Sequence, residues 1–190
     1  MPRSTVSSGW TIKRFLGRLS SSEPTPGGGS AAALAGALGC SLGCMVGKIL
    51  LSRPRLKTAA RSRLERNLDL LDGLLEKLQS YIQQDAQAYR ALVQAQRSRR
   101  GVPMARKRAI ECPVKICETT GEALKVIRRI SPLAGPYLGS DLKAGRALLK
   151  GAFESAYATA VINMEGPDPN GQGVVLRRHL VKLQKGVRSL

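Results

Sequence analysis

From Thr58 onward, apolar residues recur alternately four and three positions apart: Leu64, Leu68, Leu71, Leu75, Leu78 and Ile82. That spacing lays a continuous apolar seam along one face of a single long helix. Carried forward, the same count lands on Asp85 and Tyr89 before Leu92 restores an aliphatic residue. An ideal helix drifts by about 20° per heptad, which alone would turn Asp85 toward water, but the seam resumes behind it. An ionisable carboxylate where the pattern asks for leucine is costly unless it is paired or used. Asp85 is therefore expected to face the core or a cleft.

The other periodic stretches are shorter. Trp10, Ile12, Phe15, Leu16 and Leu19 fall at helical spacing opposite Lys13, Arg14 and Arg18, predicting an amphipathic helix that ends at Ser20-Ser21-Ser22. Between Ala31 and Leu51 the pattern changes in kind. Ala32, Gly36, Cys40 and Cys44 recur every four residues, as do Ala35, Gly39, Gly43 and Gly47, giving two ridges with almost no side chain. Neighbouring helices can approach such ridges closely. Pro113 suits the first turn of a further helix carrying Val114, Cys117, Thr120, Leu124 and Ile127 on one face. Ser131 to Pro136 breaks that helix, and Ser140-Asp141 opens the last major one, with Asp141 as an N-cap or first-turn acid. Residues 166–171 end it, and a basic tail helix spans Val174 to Leu190. No strand-like alternation of useful length occurs. The expected fold class is all-α: a multihelical bundle of long antiparallel helices forming one domain over residues 9–190, behind a frayed tail at 1–8.

The small-residue helix is fed by a Pro/Gly loop, Glu23 to Gly29, with Ser30 placed as its N-cap. A helix N-terminus presents unpaired N–H groups and partial positive charge, and glycines let a ligand come close to the backbone. Read alone, Gly27-Gly28-Gly29 is equally well a linker and cap. It has neither dinucleotide-loop nor P-loop spacing.

Composition narrows the picture. The 190 residues carry a formal charge of +18, only 4% aromatics and 20 glycines. The charge predicts an anionic partner, and the core must be built from Leu, Ala and Gly. Six cations fall between Arg97 and Arg108 with no acid among them (Arg97, Arg99, Arg100, Arg106, Lys107 and Arg108), interrupted by Gly101 and Pro103, which reads as a basic loop or junction. The four cysteines lie on helical patterns and are read as small buried hydrophobes in a reducing, cytoplasmic setting. Ala31 to Gly47 is uncharged but weakly apolar, so no membrane span is expected. No signal peptide is expected either, since Pro24 to Gly27 separates the basic region from the apolar one. A single histidine, His179, in the basic tail leaves no support for a Ser-His-Asp, Cys-His or zinc site. Chemistry must rest on carboxylates, hydroxyls, lysines or backbone dipoles.

Taken whole, the string Thr25-Pro26-Gly27-Gly28-Gly29-Ser30-Ala31-Ala32-Ala33-Leu34-Ala35-Gly36-Ala37-Leu38-Gly39 closely resembles the opening motif of the formiminotransferase-cyclodeaminase / methenyltetrahydrofolate cyclohydrolase family. Asp85-Ala86-Gln87-Ala88-Tyr89 is similar to that family's Asp-x-x-Ala-aromatic segment, Pro113-Val114-Lys115 to its Val-Pro-Leu region, and Ser140-Asp141 through Ile162-Asn163 to its final Ser-Asp…Ile-Asn helix. These landmarks keep the family's order from about Trp10 to Met164. The chain differs in a short, basic 96–112 segment and in Thr159-Ala160, where the family usually has Asn-Val.

The resemblance implies a helical homodimer acting on the one-carbon bridge of tetrahydrofolate. It would hydrolyse the methenyl form to 10-formyltetrahydrofolate, or cyclise the formimino form with loss of ammonia, without a metal or redox cofactor. It implies Asp85 and Asp141 as the catalytic pair, Asp85 facing the cationic bridge and Asp141 protonating the departing nitrogen. Pro26, Gly27, Gly28, Gly29, Ser30, Ser140 and Asn163 would hold the substrate, and Lys48, Arg53 and Arg55 would attract its glutamate carboxylates, often several. Two other readings compete. One is a non-catalytic basic helical protein whose partner is nucleic acid, contacted through Arg53 to Arg66, Arg97 to Arg108 and Arg177 to Arg188. The other is a small membrane-associated protein.

Overall fold

A computed structural model describes residues 9–54, 56–165 and 172–190. The expected tail at 1–8, Arg55, and the helix end at 166–171 lie outside the described residues. Five helices follow one another: α1 (Ile12–Leu19), α2 (Gly28–Leu51), α3 (Thr58–Ser98), α4 (Val102–Asn163) and α5 (Gln172–Arg188). No strand occurs among the described residues, so the all-α expectation holds.

The small-residue helix is the centre of the bundle, packed on both α3 and α4. Its glycines explain how. A Cβ built at Gly36 would stand 3.0 Å from the Thr120 methyl, at Gly43 3.1 Å from Ile127 and Leu71, and at Gly39 2.8 Å from the Gly145 carbonyl oxygen. At Gly47 it would be only 2.4 Å from Leu68. Each glycine is a socket for a large aliphatic or a neighbouring backbone, as expected of close-packed ridges. The seam of α3 fills these sockets: Leu64, Leu68, Leu71, Leu78 and Ile82 are buried, with Leu74 rather than Leu75 fully enclosed at the middle turn. All four cysteines are free and buried, with thiols pushed up to about 12 chiefly by desolvation, so they are packing groups. By length and composition α2 could cross a membrane, yet half of its apolar window is buried inside the bundle.

Two expected boundaries move. Of the loop or junction expected for the basic segment, the structure has the junction: Arg99 and Gly101 take left-handed conformations, closing α3 onto α4 within a few residues. Helix α4 then starts at Val102, with Pro103 in the first turn that was assigned to Pro113. Pro113 lies buried inside the helix. Farther on, the break falls at Gly135, whose φ of 64° and ψ of 177° kink α4. Ser140 and Asp141 are consequently inside the second arm, not at its start, and Ser140 Oγ donates back to the Tyr137 carbonyl. Asp141 is no N-cap. The tail helix docks on α4 through Leu180 and Val187, helped by a 2.7 Å contact between His179 and Glu118.

Candidate active site

Where α2 begins, the α3 seam reaches Asp85 and α4 ends, a cleft of about 280 Å³ opens. Its walls are Pro24, Thr25 and Gly27 of the loop, Gly28 and Gly29 at the start of α2, Asp85 and Tyr89 of α3, and Ala109, Thr159, Ile162 and Asn163 of α4. Asp85 is mostly buried, at the position the heptad count flagged.

The carboxylate sits directly on the N-terminus of α2. A Cβ at Gly29 would lie 2.1 Å from Asp85 Oδ1 and 2.5 Å from its Cγ, a separation that only glycine tolerates. The glycines serve this approach and not an unusual backbone, since Gly28 and Gly29 are helical and positive φ occurs at Gly101 and Gly135 instead. Gly27 supplies the N-cap, without a side-chain bond. That corrects the assignment of Ser30, which is buried inside the first turn and is not the cap. Its hydroxyl lies 2.9 Å from the Ile82 carbonyl and 3.1 Å from Asp85 Oδ2, and its amide also hydrogen-bonds the carboxylate. The helix terminus expected to greet a ligand anion thus already holds one of the protein's own.

Burial raises the Asp85 carboxyl above its ordinary value, while the Ser30 hydroxyl and amide oppose that shift. The geometry serves both protonation states. When Asp85 is ionised, the Ser30 hydroxyl and amide donate to it; when it is protonated, it can donate to Ser30 Oγ, whose own hydrogen bond then goes to Ile82 O. A group supported in both states can take and return a proton.

Asn163 is oriented by a feature of the opposite arm of α4. Pro113 has no N–H, so the carbonyl four residues earlier, Ala109 O, lacks its usual helical donor. Asn163 Nδ2 supplies one at 2.8 Å. With the amide nitrogen tied down, Oδ1 is left to accept a hydrogen bond in the cleft. Two landmarks fifty positions apart in the chain, Pro113 and Asn163, are therefore one structural device. Beside it, Thr159 Oγ1 bonds Ser155 O and stands 3.2 Å from where a Gly28 Cβ would be.

The remaining sequence-derived residues are dispersed. Gly27, Gly28, Gly29, Asp85 and Asn163 meet at the cleft, whereas Pro26 is buried beneath the loop and Thr25 lines the wall in its place. Asp141 precedes Thr159 by eighteen residues on the straight arm of α4, about 27 Å at the helical rise. Lys48 is at the far end of α2, about 30 Å from Gly28, and pairs with Asp72 at 3.6 Å. Arg53 lies beyond it. Within one chain, then, Lys48, Arg53, Ser140 and Asp141 do not join Asp85. Tyr89 is on the heptad seam, Pro24 in the Pro/Gly loop and Ile162 in the last motif, but nothing in the sequence pointed to Ala109.

Comparison with known proteins gives the chain's relatives. The chain is 29% identical to the methenyltetrahydrofolate cyclohydrolase of Methylorubrum extorquens over 171 residues, covering 83% of this chain and 81% of that protein. It is 25% identical to the formimidoyltransferase-cyclodeaminase of Sus scrofa over 190 residues; the match covers 94% of this chain but 35% of that longer protein. The fold matches the crystal structure of formiminotetrahydrofolate cyclodeaminase from Thermotoga maritima with a TM-score of 0.83 at 19% identity, covering 95% of this chain and 89% of that one. The family model for formiminotransferase-cyclodeaminase matches residues 11–169, and the chain belongs to that family.

Proposed function

We propose that the protein is an enzyme of one-carbon metabolism that hydrolyses the N5–N10 bridge of 5,10-methenyltetrahydrofolate. The observation that carries this reading is the buried Asp85 carboxylate, held on the α2 N-terminus at the floor of the cleft. The methenyl bridge is a cationic amidinium, and a carboxylate facing it favours both the bound cation and removal of a proton from attacking water. As the water oxygen bonds to the bridge carbon, one proton passes to Asp85. Collapse of the carbinolamine breaks the carbon–N5 bond; N5 takes the proton back from Asp85, and the new hydroxyl loses its own to solvent as it becomes the formyl C=O. One carboxylate suffices for both transfers, so the distance of Asp141 is no obstacle. The cleft is smaller than a pocket that encloses a whole drug-sized ligand. It suits the fused rings at the bridge, with the benzoyl-glutamate portion outside.

The active form in this reading is a homodimer. Leu38, Met45 and Ile49, each at least 40% exposed, lie on the outer side of α2, flanked by the half-buried Ala31, Leu34, Ala35 and Leu42. A two-fold axis across this side runs the two α2 helices antiparallel. The Lys48 and Arg53 end of one copy would then stand against the Gly28 end of the other.

The test is to assay the purified protein with methenyl- and formiminotetrahydrofolate while sedimenting the same preparation. Loss of the methenyl form without ammonia release, by a dimer at micromolar concentration that Leu38→Glu dissociates, is expected. Turnover of neither substrate by the dimer would overturn the assignment, and ammonia release from the formimino form would replace hydrolysis with cyclisation.

Pro113→Ala separates positioning from stability. Alanine restores an N–H that competes with Asn163 for Ala109 O and removes a proline from a helix interior. The variant should melt higher than wild type. Its KM should nevertheless rise about fivefold, roughly one hydrogen bond, with kcat nearly unchanged. An unaltered KM would detach Asn163 from substrate binding.

A further inference from the structure

We propose that a groove centred on Arg129, separate from the folate cleft, binds the phosphate backbone of single-stranded nucleic acid. Three clefts meet there. The largest, about 610 Å³, lies between the start of α3 and the middle of α4 and is lined by Arg63, Arg66 and Arg129 over an apolar floor that includes Leu70 and Leu133. A second is lined by Lys125, Arg128 and Arg129, and a third, running toward the tail helix, by Lys125, Arg129 and Lys182. Arg129 belongs to all three, which makes the surface continuous.

The six cations are uncompensated: none forms an ion pair among the described residues. Glu118 and Glu122 line only the third cleft, and Glu118 is engaged by His179, while Glu65 and Asp69, beside Arg66 on α3, line none of the three. Unpaired like charges gathered in one groove repel one another, and an anionic ligand relieves that cost. Arg63 and Arg66, and Lys125 with Arg128 and Arg129, stand three or four residues apart on their helices, so adjacent charges are about 5–6 Å from each other. Such rows favour a ligand whose charges also repeat, in preference to a single anion.

The shape selects among repeating anions. A bilayer is flat and would not reach cations that line a cleft between two helices, and no exposed aliphatic side chain lines the groove to insert into lipid. An acidic peptide matches the charge but has no ring. Tyr137, 87% exposed, follows Leu133 by four residues and so stands within about 14 Å of the groove, where a base can stack on it. The site is remote from the chemistry: Arg66 precedes Asp85 by nineteen residues on α3, about 28 Å.

The test is fluorescence anisotropy of the full-length protein with labelled 20-nucleotide oligouridylate and oligothymidylate across a potassium chloride series. The variant R63Q/R66Q/R129Q should bind at least about 10-fold more weakly and show a salt slope shallower by about 2, since each single-strand phosphate contact contributes about 0.7. Folate turnover should be unchanged in that variant. R97Q/R99Q/R100Q, which removes equal charge from the turn between α3 and α4, should bind as wild type does. Preference for one oligonucleotide tells RNA from DNA. Equal weakening by both triple variants, or groove-dependent binding of polyglutamate or phosphatidylserine vesicles as tight as that of the oligonucleotides, would overturn the proposal.

Discussion

Asp85→Asn should lower kcat for bridge hydrolysis by at least about 100-fold, the lower end for losing a positioned acid or base, and should raise thermal stability at the same time. The first effect follows from removing both the charge opposite the amidinium and the proton acceptor. The second follows from the direction of the carboxyl's shift. Burial raises Asp85 above its unfolded value. The stabilisation linked to the protonated form is therefore complete below the unfolded pKa and is lost as pH rises through the folded one. At neutral pH the ionised group destabilises the native state, and asparagine relieves this while keeping volume and hydrogen bonds to Ser30. The gain should be about 1 kcal/mol above the folded pKa, typical of relaxing a strained functional site, and should vanish in acid, where wild type is protonated as well. Thermal melts at several pH values check this against steady-state kinetics. The acid limb of kcat/KM should likewise stand above the ordinary aspartate value. A variant that is less stable at neutral pH would mean that Asp85 is a structural anion, and one with wild-type turnover would remove it from the mechanism.

What the chain disclosed in advance was periodicity and what depends on it. The leucine seam placed Asp85 at a break in an apolar face, and the ridges of α2 announced a helix that neighbours approach closely; both are properties of one helix, readable from spacing alone. Boundaries set by single residues were less legible. Pro113 reads as a helix start because proline is best tolerated there, and it took the tertiary partner Asn163 to satisfy the carbonyl that an interior proline strands. Ser30 reads as an N-cap for a similar local reason, yet the cap falls to Gly27 because the serine hydroxyl is drawn to Asp85 and Ile82 on another helix.

The site itself was half legible. Gly27 to Gly29, Asp85 and Asn163 came from motifs that each sit on one element and meet because α2 is gripped by α3 and α4 along its length. Lys48, Arg53 and Asp141 also came from charge or motif, but nothing in a linear pattern tells how far along a helix a residue is from a cleft. The rise of about 1.5 Å per residue does so once the fold is known. Ala109 enters the cleft only through the pairing of the two arms of α4, and this leaves no mark on local sequence.

Gly29→Ala should be nearly as damaging to turnover as the loss of Asp85 itself. The added methyl would fall 2.1 Å from Oδ1 and within 2.8 Å of every carboxylate atom, closer than real contacts allow. Either α2 and α3 separate or Asp85 leaves its seat. Separation is blocked farther along, where Leu78, Leu71 and Leu68 of α3 fill the sockets at Gly36, Gly43 and Gly47. The carboxylate must therefore swing away from the α2 terminus and from Ser30, and a displacement of about 1 Å in a catalytic group is enough to cost about 100-fold. Stability should fall by about 1–3 kcal/mol from overpacking, offset by less than about 1 kcal/mol because alanine is the better helix former. Gly28→Ala is the control. Its methyl would meet only the Thr159 hydroxyl at 3.2 Å, so stability should stay near that of wild type. The decisive measurement is the double-mutant cycle: with Asp85→Ala the clashing atoms are gone, and Gly29→Ala should no longer destabilise the protein. A penalty of the same size in that background would show that the methyl meets something other than Asp85, and that the glycine is not there to seat the carboxylate.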